Sequence, residues 1–224
     1  MSKYRIKFSK LGLAAYISHL DLMRTMQRVF IRAGLKVKHS EGFNPHPKMV
    51  FAMPLSVGAE SVCELLDVEL EVDVDCAELP EMLNRTIPAG ISVTEAWLPE
   101  TKFKEFSLLQ VTGRFEYDDG SAADKLSKLE EFYAQESIVI ERKTKKGMGQ
   151  ADIKPLIKNI KFTSVDDNTL SIEAVIAAGE KVLNPELIVS ALGQLAEEIK
   201  PDFAKFKRLG LFKETENGSI IEFR

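Results

Sequence analysis

Alternation dominates the first ten positions. Tyr4, Ile6 and Phe8 are apolar while Lys3, Arg5 and Lys7 are basic, the two-residue period of a half-buried strand with a basic outer face. From Ser18 the period changes to 3.6. Leu22, Met26, Val29, Phe30 and Ala33 gather on one side of a helix, and Arg24, Arg28 and Arg32, four apart, project from the other. Ser18 suits the N-cap, with Asp21 three residues on, and Gly34 suits the stop. The stretch to Lys48 then turns around Gly42, Pro45 and Pro47, residues that exclude regular hydrogen bonding. Residues 49–53 form a short apolar run ended by Pro54. Residues 62–74 alternate at length, with Leu66, Val68, Leu70, Val72 and Val74 inward and Asp67, Glu69, Glu71 and Asp73 outward. A helix over 76–84 and a strand over 91–98 complete a β-α-β-β-α-β order.

That order defines the ferredoxin-like split βαβ unit, and it returns in the second half. Residues 106–117 read as a strand, 122–135 as a helix, 137–142 as a strand, 157–165 and 169–177 as a hairpin, 184–199 as a helix and 206–212 as a last strand. Residues 143–151 read as a glycine-bearing basic loop. The expected class is therefore α+β, with two ferredoxin-like domains in tandem at 1–101 and 102–224.

Charge changes the picture more than composition does. The net charge of −4 hides a basic pole: residues 1–50 hold ten Lys/Arg against two Asp/Glu, and residues 51–140 hold six against nineteen. Such a pole attracts phosphates over about 10 Å at moderate salt. The arginine stripe, followed by Lys36, Lys38 and Lys48, suits a nucleic-acid backbone, which is read without regard to sequence. His39, Phe43, Asn44 and His46 could stack on and hydrogen-bond to unpaired bases. A second basic patch comprises Arg142, Lys143, Lys145, Lys146, Lys154, Lys158 and Lys161. Of these, Lys145, Lys146 and Lys154 join the RNA-binding candidates. Because the exposed positions of residues 66–74 are acids, RNA is expected on the helix-and-loop edge and not on an open sheet face.

Other chemistry finds less to work with. Cys63 and Cys76 stand singly, without a CxxC pair, and read as free thiols. His19, Asp21, His39 and His46 have poor spacing for a metal site, so no metal and no cofactor is expected. There is no Walker loop and no Gly-x-Gly-x-x-Gly. No run approaches 18 apolar residues, and the N-terminus MSKYRIKFSK lacks the apolar core of a signal peptide, so a cytoplasmic protein without membrane contact is expected.

Four segments carry a family resemblance. HLDLMRTMQRVFIRAG, FNPHPK, FAMPLSVGAES and ELLDVEL, together with Asp152-Ile153-Lys154-Pro155, resemble a bacterial family of unknown function described as radical-SAM-linked. The resemblance implies a radical SAM protein as neighbour or fusion partner, and a setting in RNA processing. This chain has no three-cysteine iron–sulfur motif, so any radical chemistry would lie in the partner. The expected function is an accessory protein that holds structured RNA, tRNA or rRNA and not DNA, for a radical SAM modifying enzyme. Two alternatives remain open. One is a docking subunit without RNA contact. The other is a metal-independent endoribonuclease, since the tandem arrangement is similar in outline to CRISPR repeat-processing enzymes, with His19 or His46 as general base.

Overall fold

A computed structural model describes residues 2–144, 147–215 and 217–224. The chain divides into two compact units, Met1–Glu105 together with Arg224, and Phe106–Phe223. Both mix strands with few helices, so the fold is α+β.

The first unit runs β1 (Lys3–Lys10), α1 (His19–Arg32), β2 (Met49–Phe51), β3 (Glu60–Glu69), α2 (Leu79–Asn84) and β4 (Ile91–Trp97). The strands lie in the order β4-β1-β3-β2, every pair antiparallel. Both helices pack on one face. There Tyr4, Ile6 and Phe8 of β1 meet Leu22, Met26, Val29 and Phe30 of α1 and Leu79 and Leu83 of α2. The strand period and the helix period are thus satisfied by one another. Helix α2 starts later than the apolar pattern suggests. Pro80 sets its first turn, where the missing N–H costs nothing.

The outer face of β1 departs from the expected basic surface. Arg5 is fully buried (0% exposed). Its guanidinium grips Asp67 on β3 through two hydrogen bonds, at 2.7 and 3.0 Å, and donates to the hydroxyl and carbonyl of Thr101 at 2.8 and 2.9 Å. The Phe103 ring lies over it, 4.3 Å from guanidinium carbon to centroid. Asp67, expected outward in an acidic row, is buried with it and also takes Lys3 at 2.8 Å. Alternation gives the side a residue faces. It does not give what covers that side, and here the cover is the segment at 101–105. A second buried cation, Lys10, donates to the carbonyls of Ala15 and Ile17, both at 3.0 Å, and so pins the turn at Gly12–Tyr16.

Gly90 fits against that turn. Its φ of +86° is left-handed, and a Cβ there would stand 2.7 Å from the Leu11 carbonyl oxygen and 2.8 Å from the Ala14 Cβ. Gly90→Ala combines backbone strain with overpacking, each worth about 1–3 kcal/mol, and should cost about 2–6 kcal/mol in chemical denaturation.

The second unit contains β5 (Leu108–Glu116), α3 (Ala122–Ala134), β6 (Val139–Thr144), β7 (Gly147–Asp152), β8 (Ile157–Ser164), β9 (Thr169–Ala177), α4 (Glu186–Leu195), β10 (Phe203–Glu214) and β11 (Ile220–Glu222). Its main sheet has the order β10-β5-β9-β8, again antiparallel, with β11 against β10. With β5, β8, β9 and β10 taken as first to fourth strand, the spatial order is that of the first unit. The basic stretch expected as a loop is instead the β6–β7 hairpin, in register from Val139↔Asp152 to Thr144↔Gly147. The amide of Gln194 on α4 clasps the backbone of Glu141 on this hairpin at 2.8 and 3.0 Å, and Ile138 and Ile140 are buried. Helix α4 stops at Leu195 because Ala196 leaves helical geometry (φ −156°, ψ 59°), and a separate 3-10 turn covers Glu197–Ile199.

Candidate nucleic-acid interface

The interface grows from the N-terminus of α1. Ser18 caps it as the sequence suggests: its hydroxyl oxygen accepts from the Asp21 N–H at 3.1 Å, and its O–H donates to the Asp21 carboxylate at 2.7 Å. That hydroxyl, and after it Arg24, holds the Asp21 carboxyl below the usual carboxylate range. Arg24 is therefore partly spent on its own helix, 3.2 Å from Asp21. Arg28 and Arg32 are not. Both are exposed, and among the described residues no carboxylate lies within 4.0 Å of either, or of exposed Lys36. The face they occupy is opposite the buried Leu22, Met26, Val29 and Phe30.

Past Gly34 the chain enters a second feature, which corrects the expectation of an unpaired loop. Residues 37–48 form a narrow hairpin with its own ladder. Val37 bridges Leu70, and His39 bridges Pro47. The Lys48 N–H donates to the Lys38 carbonyl at 2.7 Å, and the Ser40 N–H to the His46 carbonyl at 2.8 Å. A hydrogen bond of 2.9 Å between the Ser40 hydroxyl and His46 Nδ1 closes the upper rung, and the His46 N–H donates to that same hydroxyl at 3.1 Å. Gly42, at φ +118°, makes the turn that no side chain would favour. Phe43 at the tip stands entirely in water, 112% exposed, between Gly42 and Asn44. Glu41, also exposed, is the one acidic side chain of the tip.

The candidate cations thus separate by use. Lys48 pairs with Glu69 at 3.0 Å, and Lys38 is half-buried at the hairpin base. Arg28, Arg32 and Lys36 remain open. His39, Asn44 and His46 are exposed on the hairpin, whereas His19 is half-buried with its ring edge-on to Phe51, 5.1 Å between centroids. Ser40 is the residue that sequence reasoning passed over. A serine six residues before a histidine across a Gly/Pro turn was its signal. Leu13, Tyr16 and Leu20, also exposed, were not anticipated.

The patch in the second unit is more committed to the fold. The Lys154 ammonium donates to the Tyr133 carbonyl, and Lys158 pairs with Glu214 at 3.4 Å. Both line a cleft of about 250 Å³ with Glu130, Tyr133, Asn159 and Phe162. Lys143 and Lys161 are exposed, and Lys145 and Lys146 lie outside the described residues. The Asp152-Ile153-Lys154-Pro155 motif is a staple. Asp152 accepts from the N–H of Ile138 at 2.9 Å, from the N–H of Lys154 at 3.0 Å and from the Ser137 hydroxyl at 3.0 Å, Ile153 is fully buried, and Pro155 sits in the 3-10 turn that follows. The Ile138 amide, then the Lys154 amide and the Ser137 hydroxyl, hold the Asp152 carboxyl below its usual range. Its contribution to stability is therefore present above the unfolded carboxylate value of about 3.9 and lost as pH falls through the folded one. Thermal unfolding of wild type and Asp152→Asn should differ near neutrality, and the gap should close in acid.

Cys63 is a buried and Cys76 a half-buried free thiol. Among the described residues no group of three His, Cys, Asp or Glu gathers to hold a metal ion, and no helix is long and apolar enough to cross a membrane.

A family model described as an uncharacterised protein conserved in bacteria matches residues 3–185. No curated protein matches. A chain in the crystal structure of a Cbf5-Nop10-Gar1 complex is similar over 95% of this chain and 50% of its own length, with 13% identity and a TM-score of 0.49. This chain thus spans half of that one. An unknown protein from Galdieria sulphuraria is similar over 92% of this chain and 96% of its own, with 8% identity and a TM-score of 0.27.

Proposed function

The chain belongs to DUF2344, an uncharacterised family conserved in bacteria, and we propose that it acts as an accessory RNA-binding protein in the cytoplasm. It holds a structured RNA, tRNA or rRNA, for a radical SAM partner that carries out the modification. Both units are taken as ferredoxin-like modules, a reading supported by the strand order that each repeats. The observation that carries the proposal is the pairing of open cations with an open aromatic. Arg28, Arg32 and Lys36 have no carboxylate partner among the described residues, and they lead directly into a hairpin whose Phe43 is fully solvated. Exposed guanidinium groups at helical spacing can meet successive phosphates, and their release of condensed counterions drives association. Other cations of this unit are taken up by its own carboxylates, Arg5 by Asp67 and Lys48 by Glu69.

Filter binding of a tRNA pool and of rRNA fragments to wild type and Arg28→Glu/Arg32→Glu tests this reading. The double variant should bind far more weakly. Equal affinity for both proteins, or none for either, removes it. Capture of the radical SAM protein after nuclease treatment, by a chain that retains no RNA, would replace RNA holding by protein docking.

A further inference from the structure

Resting on that reading, we propose that the 37–48 hairpin selects RNA with an unpaired base, in a loop or bulge beside a helix, and that Phe43 is the platform on which the base stacks. The ladder makes the hairpin a preformed probe. Two rungs, Lys38–Lys48 and Ser40–His46, precede the Gly42 turn, and Pro45, Pro47 and the Ser40–His46 clasp fix its shape before any ligand arrives. A phenyl ring held in water at the end of such a probe has no packing role in its own fold. Its two faces suit a nucleobase, since every base offers a π-face.

A continuous A-form duplex gives that ring nothing to stack on. Its major groove is deep and narrow and its bases are already stacked on one another. A splayed base is free to receive it. Lys36, past the end of α1, and Arg32 and Arg28 on it run back from the hairpin base, placed for the phosphates of the adjoining stem. His39 and Asn44 stand on the same hairpin as Phe43, with donors and acceptors for a base edge. The division of labour is phosphates to the helix and the base to the tip.

The test compares a blunt RNA duplex with a stem-loop of equal phosphate number, the stem-loop carrying 2-aminopurine in its loop. Wild type should bind the stem-loop about tenfold to a hundredfold more tightly than the duplex, the range that stacking on one aromatic supplies, and should quench the 2-aminopurine. Phe43→Ala should lose both the preference and the quenching, while Phe43→Tyr keeps both. Because Phe43 packs against nothing, Phe43→Ala should keep the wild-type circular dichroism spectrum. If wild type binds duplex and stem-loop alike, with Phe43→Ala unchanged and Arg28→Glu/Arg32→Glu still weakened, the loop-selective reading falls and RNA holding stands. If wild type binds neither RNA, both fall.

Discussion

Arg5→Met should destabilise the first unit by about 3–5 kcal/mol, because it leaves Asp67 charged, buried and stripped of its two guanidinium hydrogen bonds. Lys3 reaches the same carboxylate at 2.8 Å from a half-exposed position, and its help places the cost toward the lower end of that range. Thr101 loses two donors as well, so the segment at 101–105 should loosen before the sheet does. Removing both charges is a different matter. Arg5→Met/Asp67→Leu should recover most of the loss, since a buried pair repays its desolvation only in part and apolar side chains avoid it. Urea denaturation followed by tryptophan fluorescence measures both. Trp97 is the sole tryptophan and lies opposite Arg5 in the β1–β4 register, so it reports this unit. A double variant as unstable as the single one would show that the pair does more than neutralise itself.

Arg28→Glu/Arg32→Glu should weaken RNA binding about 100-fold near physiological salt. Each phosphate contact contributes roughly fivefold there through counterion release, two contacts about 25-fold, and the reversed charges add repulsion. The slope of log affinity against log salt should flatten by about 1.5–2, which separates lost phosphate contacts from a misfolded protein. Arg24→Glu is the internal comparison. Arg24 already shares its charge with Asp21, so its reversal should cost less than that of either neighbour. A larger loss at Arg24 would move the phosphate track toward the helix N-terminus.

Much of the architecture was legible because local periods and long-range packing agree. The capped start of α1 and its apolar face follow from spacing and the structure keeps them, whereas β1 keeps its apolar side but buries Arg5 on the side that alternation assigns to water. The element order of the first unit could be read in the same way. The β6–β7 hairpin could not. Gly147, Gly149 and the lysines between apolar positions remove the strand pattern, and what holds the hairpin is tertiary: buried Ile138, Ile140 and Ile153, and the Gln194 clasp. Arg5 was misread for a related reason, since its partner is 62 residues away in sequence and its cover 96 away.

The site shows the same division. Composition located the basic stretch and its aromatic, but not which cations remain open. Lys48 and Arg28 look alike as letters; a glutamate on β3 takes one and leaves the other. The ladder at 37–48 was hidden because proline and glycine signal turns, whereas backbone pairing across a turn leaves no mark on either residue.

The seal over Arg5 also bears on how the protein can be dissected. A first fragment trimmed at residue 101, where the sequence places the join, would keep the Thr101 acceptors but lose the Phe103 ring, and would open an interior ion pair to water. Weak behaviour of such a piece would then be an artefact of the scissors. Extending it to Glu105 keeps the lid on, and shows more fairly whether this half can stand alone.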